Sequence, residues 1–400
     1  MVLTQGHIKS IKFTINNDTD IAKDAAVQIT NKEAYKTNKP VTKGIYDLHM
    51  GTTNYGYNCD TCQNPKDICP GHMGCIKLNY PVIQPTLRDE VIRWLKIICF
   101  ECGKVLIYHD KDLANISFNN LVKKIGGKNT DDDIICIHCK SKHPHVVKSK
   151  TDDITINVEF FKTKKIIELE KQLLNHQIKA IFERVNDNLV IILRKDIANH
   201  PKHLIWTLLP ILPNTSRPHV KLGTGQHEDD DTTNMIRDIV KLNNSLSSEL
   251  VKEPTIDFRE RLKVSKKTIA DYNALAMLIY TMVAGSSAKG KIRIVISNNS
   301  TIESLKKKIT GKQGRIRKNI MGKRSNRMGR SVITGDPTLP LYVLGVPIDM
   351  AVKLYYNEVV HEYNLARLNI AYKNGSNTYP GSVILKRNGR IYKVDAINDK

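Results

Sequence analysis

Three things are missing from this 400-residue sequence. The first is a run of apolar residues long enough to cross a bilayer: the longest apolar-looking stretch, Leu204 to Leu212, is short and holds Pro210. The second is the apolar core of a signal peptide, since the chain opens MVLTQGHIKSIKF. These absences argue against a membrane-embedded or secreted protein, and the expectation is an intracellular chain, with no membrane partner and with reduced thiols. The third is acid. Between Lys306 and Arg330 there is no Asp or Glu at all.

What that stretch holds instead is eleven Lys and Arg side chains, half of a net charge of +22. A solvated helix face would carry both signs. From Gly311 to Pro337 the sequence reads GKQGRIRKNIMGKRSNRMGRSVITGDP, and its glycines at 311, 314, 322 and 329 interrupt regular helix. Arginine forks match phosphate oxygens, so the pattern suits a surface moulded to a nucleic-acid backbone. The competing reading is a flexible localisation signal. Ile316, Ile320, Met321, Val332 and Ile333, taken as apolar anchors, and the turn Gly335-Asp336-Pro337 before a strand expected over Leu339 to Val346, argue against it.

Eight cysteines carry the second signal. Cys59-x2-Cys62-x6-Cys69-Pro70-Gly71-His72 offers four soft ligands in fourteen residues, with Cys75 an alternative to His72 as the fourth. Cys99-x2-Cys102 and Cys136-x2-Cys139 form a zinc-ribbon pattern. Disulfides are the alternative, which the reducing compartment disfavours. The expected cofactors are therefore two structural Zn²⁺ ions. His138, His143 and His145 read as exposed or supporting side chains beside a site that four thiolates complete, and Asp131-Asp132-Asp133 as a solvated loop tip.

Periodicity supplies the rest. Length and a 40% hydrophobic content suit two or three domains of mixed α and β. Met1 to Gly56 reads as an irregular segment with a strand near Ile11 to Ile15. Leu87, Val91, Trp94, Leu95 and Ile98 predict a helix capped by Thr86. Lys164 to Val185 has helical spacing and Leu189 to Leu193 reads as a buried strand. The prolines of Pro213 to Pro218 mark a loop, after which the acidic run Glu228 to Asp231 is placed to cap a helix from near Thr232 to about Leu250. A second helix, Lys267 to Val283, completes an antiparallel hairpin that is either a docking arm or two core helices.

In order along the chain, Tyr46-Asp47 to Thr53, the knuckles with Cys69-Pro70-Gly71-His72-Met73-Gly74, the cysteine pairs, Leu208-Leu209-Pro210 to Arg217-Pro218, and Gly311-Lys312 to Pro347 resemble the N-terminal part of the largest subunit of multisubunit DNA-directed RNA polymerases. The wording of Ile45 to Tyr55 leans towards the polymerases of large cytoplasmic DNA viruses. The resemblance implies an α+β multidomain fold: a zinc-stabilised clamp with a helical hairpin (coiled coil), followed by a β-rich segment upstream of the catalytic barrel. It divides the chain into clamp core with the first zinc site (1–98), clamp head with the second (99–203), lid loop and hairpin (204–283), rudder and template-binding switch (284–337), and the β-rich start of the active-site region (338–400).

Lys312, Arg315, Arg317, Lys323, Arg324, Arg327 and Arg330 would then hold template phosphates beside the RNA–DNA hybrid. Implied partners are the DNA template, the remaining part of the largest subunit, the second-largest and smaller subunits, and transcription factors at the hairpin. Implied compartments are host cytoplasm or virion if the chain is viral and nucleus if it is cellular. The family's Asn-Ala-Asp-Phe-Asp-Gly-Asp motif, whose carboxylates hold paired Mg²⁺, is absent, so no catalytic residue is assigned and Mg²⁺ is expected only in the assembled enzyme. The chain accordingly reads as the front part of a larger subunit, a split gene product or a truncation, inactive alone. The rival reading is a stand-alone zinc-containing nucleic-acid-binding regulator.

Overall fold

The computed structural model describes residues 9–10, 14–37, 39–109, 113, 116–126, 134–149, 154–162, 165–194, 196–221, 227–246, 266–285, 304–325, 328–387 and 390–395. Chain contacts divide it into two compact units, Met1–Gly314 and Arg315–Lys400. It is an α+β structure of small sheets and helices. No helix among the described residues is long and apolar enough to cross a membrane.

The larger unit is built on an eleven-residue strand. Helix α1 (Asp18–Asp24), capped by Asn17, leads into β1 (Ala25–Gln28), which pairs in parallel with β2 (Met73–Ile83). The N-terminal segment is thus part of the central sheet, where an irregular stretch was expected. Helix α2 (Arg88–Ile97) follows, with Val91, Trp94 and Leu95 buried as their spacing predicts; a 3-10 turn over Pro85–Leu87 introduces it, and Thr86 makes no cap bond. After α3 (Phe118–Gly126), strands β3 (His145–Lys148), β4 (Ile156–Lys162) and β5 (Lys165–Leu173) form an antiparallel sheet.

Here local pattern misleads twice. The helix expected over Lys164 to Val185 is a strand followed by a shorter helix, α4 (Asn175–Glu183), because β5 finds a full-length partner in β4 and Gln177 Oε1 accepts the Leu174 N–H at 3.0 Å to start the helix afresh. The strand expected over Leu189 to Leu193 is helix α5 (Asp187–Arg194). Asn186 caps it, accepting the Asn188 N–H at 2.9 Å, and Leu189, Val190 and Leu193 are buried while Ile191 is exposed. A short apolar run fits either state, and the cap decides.

Strand β6 (Ile205–Ile211) then runs antiparallel to β2, from Ile205 opposite Ile83 to Ile211 opposite Gly74. Helix α6 (Asp231–Ser245) begins where the acidic run predicts, with Asp230 accepting the Thr232 N–H at 3.1 Å, and α7 (Lys266–Ala284) matches the second predicted helix. Tyr272 of α7 stacks on Tyr80 of β2, ring centroids 3.9 Å apart. The described residues of both helices therefore bury a face in the core against the sheet, while the turn expected between them lies outside the described residues, as do Asp131 to Asp133. Helix α8 (Leu305–Ile309) closes the unit.

Two apolar cores flank this sheet. One gathers Trp94, Leu121, Ile178, Phe182 and Val190; the other gathers Ile45, Met50, Ile76, Ile236 and Ile279. The smaller unit holds α9 (Ile348–Lys353), α10 (Leu365–Asn374) and a hairpin of β7 (Ile384–Arg387) with β8 (Arg390–Lys393), where β-rich structure was expected. Leu339 to Val346, expected as a strand, pairs with nothing and forms turns, with Leu341 and Tyr342 exposed.

Candidate metal centres and basic surface

The sequence offers four candidate ligands in each cluster, and the fold brings each set together. Ligand atoms of Cys59, Cys62, Cys69 and His72 lie within 4.8 Å of one another, and so do those of Cys99, Cys102, Cys136 and Cys139. In the first set Cys62 Sγ is 3.6 Å from Cys69 Sγ, which is 3.8 Å from His72 Nε2. In the second, Cys99 and Cys139 sulfurs are 3.4 Å apart and Cys102 and Cys136 sulfurs 3.7 Å. Tetrahedral zinc with Zn–S bonds of about 2.3 Å requires S···S separations of about 3.8 Å, so both donor sets fit one zinc ion each. The eight cysteines are free thiols, not disulfides.

Three of the four half-sites share one backbone design. At Cys59, Cys99 and Cys136 the cysteine N–H donates to the carbonyl five residues on (Asn64, Lys104, Ser141), while its own carbonyl accepts the N–H four residues on. That fourth residue is left-handed each time: Gln63 at φ 58, Gly103 at φ 68 and Lys140 at φ 60. Two of the three are not glycine, which is why spacing rules alone did not find the pattern. In the remaining half-site Cys69 Sγ accepts the Gly71 N–H at 3.4 Å and the His72 N–H reaches Met50 O at 3.2 Å. A Cβ on Gly71, at φ 83, would lie 2.7 Å from Pro213 Cβ, so the loop after β6 seats directly on this knuckle.

Electrostatics divide the thiols of each centre: Cys62 and Cys139 are pulled down, and Cys69, Cys99 and Cys102 are pushed up by burial. The hydrogen bond from His72, then the backbone N–H of Asn64, pulls Cys62 down to about 6, while burial pushes Cys69 up to about 11; a bound cation draws such thiols to the anion. Ser141, not singled out by sequence, has its hydroxyl 3.2 Å from Cys99 Sγ and 2.9 Å from Cys139 Sγ. His138 and His143 turn to backbone oxygens, of Tyr108 at 3.2 Å and Leu95 at 3.0 Å, and His143 is buried. Cys75 stands apart in the core on β2, its thiol pushed up by burial.

A buried arginine ties the loops around the first centre to the start of α6. Arg217 is 0% exposed and donates to Leu212 O at 3.1 Å, Ile45 O at 2.6 Å, Asn214 Oδ1 at 2.9 Å and Thr233 Oγ1 at 3.3 Å. Burial pulls its guanidinium down to about 10, against the opposing pull of Tyr46, Asp230 and Asp229. Asn214 in turn donates to Asp47 O and Gly51 O, each at 2.8 Å, fixing the loop that accepts His72.

Of the candidate phosphate contacts, Lys312 belongs to the larger unit and Arg315, Arg317, Lys323, Arg324 and Arg330 to the smaller; all six are exposed, and Arg327 lies outside the described residues. Ile316 to Ile320 form a π-helical turn, closed by Met321 N–H to Ile316 O at 2.9 Å. Arg315 donates to Asn319 Oδ1 at 3.1 Å. The residues expected as apolar anchors are not buried: Ile320 is 75% and Val332 87% exposed.

The profile of RNA polymerase Rpb1, domain 1, matches residues 5–320, and that of RNA polymerase Rpb1, domain 2, matches residues 322–400. The chain belongs to the RNA polymerase Rpb1 family. Among relatives of this Rpb1-family chain, the DNA-directed RNA polymerase RPB1 homolog of African swine fever virus (isolate Tick/Malawi/Lil 20-1/1983) is 30% identical over 96% of the chain and 26% of the relative. The RNA polymerase II subunit RPB1 of Euplotoides octocarinatus is 30% identical over 96% of the chain and 81% of the relative. The Rpo1N subunit of Thermococcus celer is 27% identical over 94% and 41%. The Rpb1-family chain thus spans about a quarter of the length of its viral relatives.

Proposed function

We propose that the chain works as the clamp and template-guide part of the largest subunit of a DNA-directed RNA polymerase. The observation that carries this is the unbroken run of two Rpb1 domain profiles over residues 5–320 and 322–400, with an acid-free basic stretch across their junction. Zinc at Cys59, Cys62, Cys69 and His72, and at Cys99, Cys102, Cys136 and Cys139, holds the clamp loops in place. The loop from Leu212 to Gly225 is the lid, α6 and α7 the base of the coiled-coil arm that meets transcription factors, and Ala284 to Ser300 the rudder. Polymer synthesis needs carboxylates that hold paired Mg²⁺, and these come from outside the chain. Its companions are the rest of the largest subunit, the second-largest and smaller subunits, the template and the hybrid. The names of the relatives favour this over a stand-alone regulator.

Lys312, Arg315, Arg317, Lys323, Arg324, Arg327 and Arg330 position the template by its phosphates without reading bases. In polymerase reconstituted with this chain, Arg315→Ala with Arg324→Ala should lower the magnitude of the slope of log K against log salt by about one to two units, equally for unrelated templates. An unchanged slope, with normal zinc content and assembly, removes these arginines from the template path.

A further inference from the structure

Lys308 belongs by sequence to the same basic run, yet its side chain is already engaged. Its ammonium lies 3.2 and 3.4 Å from the two carboxylate oxygens of Asp230 and donates to Thr232 Oγ1 at 3.0 Å. Its side chain is 19% exposed, whereas its neighbours Lys306 and Lys307 are exposed. The helix that carries it, α8, is capped by buried Ser304, whose Oγ accepts the Lys307 N–H at 3.3 Å, and packs against α7.

Asp230 is equally committed, since it also caps α6. The same first turn receives Arg217 at Thr233 and Tyr46 at Asp229, the latter at 3.1 Å, with Arg237 closing on Asp229 at 2.5 Å. Thus the start of the basic stretch, the loop behind the first metal centre and the loop after β6 all converge on one helix end. A charge-assisted bond at a partly buried site holds geometry better than a surface pair does.

We propose that Lys308 is a positioning residue: with Asp230 and Thr232 it latches the root of the basic stretch to the first turn of α6, fixing the point from which the chain runs on to Lys312. The latch rests on the reading of the basic stretch as a template contact, and it makes Lys308 a member of the run that binds protein in place of phosphate.

Salt separates the two roles. A phosphate contact releases condensed counterions and contributes about 0.7 to 0.9 to the slope, whereas a positioning residue changes affinity by the same factor at every salt concentration. In the reconstituted polymerase, K308A and D230N should each weaken template binding about threefold to tenfold with the slope unchanged, the double variant should be no weaker than either, and K308R should restore binding. R324A, measured alongside, should lower the slope. A lowered slope for K308A, or losses that simply multiply in the double variant, or no loss in either single one, would overturn the latch. Should K308A not assemble, D230N against K308R carries the comparison, because Asn keeps the cap but not the charge. If R324A leaves the slope unchanged while K308A and D230N show the coupled loss, the phosphate reading fails and the latch stands.

Discussion

Gly103→Ala tests the knuckle geometry most directly. Gly103 is left-handed at φ 68, and a Cβ there would lie 2.6 Å from the Arg184 carbonyl carbon, with the carbonyl oxygen closer still. Arg184 cannot easily give way: its guanidinium donates to Phe100 O at 3.0 Å and Glu101 O at 2.6 Å, inside the same knuckle. The left-handed conformation costs an alanine about 1 to 2 kcal/mol and overpacking against backbone about 1 to 3 kcal/mol, so about 2 to 5 kcal/mol should be lost from the second centre. Lys140 occupies the matching position at φ 60 in the partner knuckle, and Lys140→Gly should relieve strain. Zinc release to a chromogenic chelator should therefore accelerate markedly in G103A at one of two equivalents and stay the same or slow in K140G. If G103A releases both equivalents at the rate of the unsubstituted chain, the repeated-knuckle argument is wrong.

Two further outcomes are expected. Cys75→Ser should keep two zinc equivalents by metal analysis, whereas His72→Ala should weaken the first centre; the reverse would move the ligand to Cys75. Burial holds His143 down at about 4, with its hydrogen bond to Leu95 O opposing, so the unfolded chain takes up a proton that the fold refuses as pH falls below about 6.5. Stability is full above that pH and should fall by on the order of 3 kcal/mol towards pH 4, a loss that His143→Gln should remove in zinc-saturating buffer; parallel pH profiles for the two would refute it.

Much of the site was legible because metal ligands must be close in sequence to share a knuckle: Cys59 to His72 and the two Cys-x2-Cys pairs are visible as spacing. Helices α2, α6 and α7 were legible for a related reason, since each buries one face and α6 has an acidic cap. What spacing cannot carry is partnership across the chain. The β4–β5 pairing overrode helical periodicity, and Asp230 lies 78 residues before the lysine it binds. Ile320 and Val332 looked like core residues because hydrophobicity does not say what will cover it. Left-handed Gln63 and Lys140 leave no signal, since neither is a residue that turn rules select.

Strands β2 and β6 pass through both apolar cores: Ile83 and Ile205 stand with Cys99 and Cys136 in one, Ile76 and Leu209 with Met50 in the other. Each metal centre therefore leans on its own hydrophobic reservoir, and one antiparallel ladder is the seam between them. On this division, opening around one centre is expected to be a sub-global event in which the other reservoir stays closed.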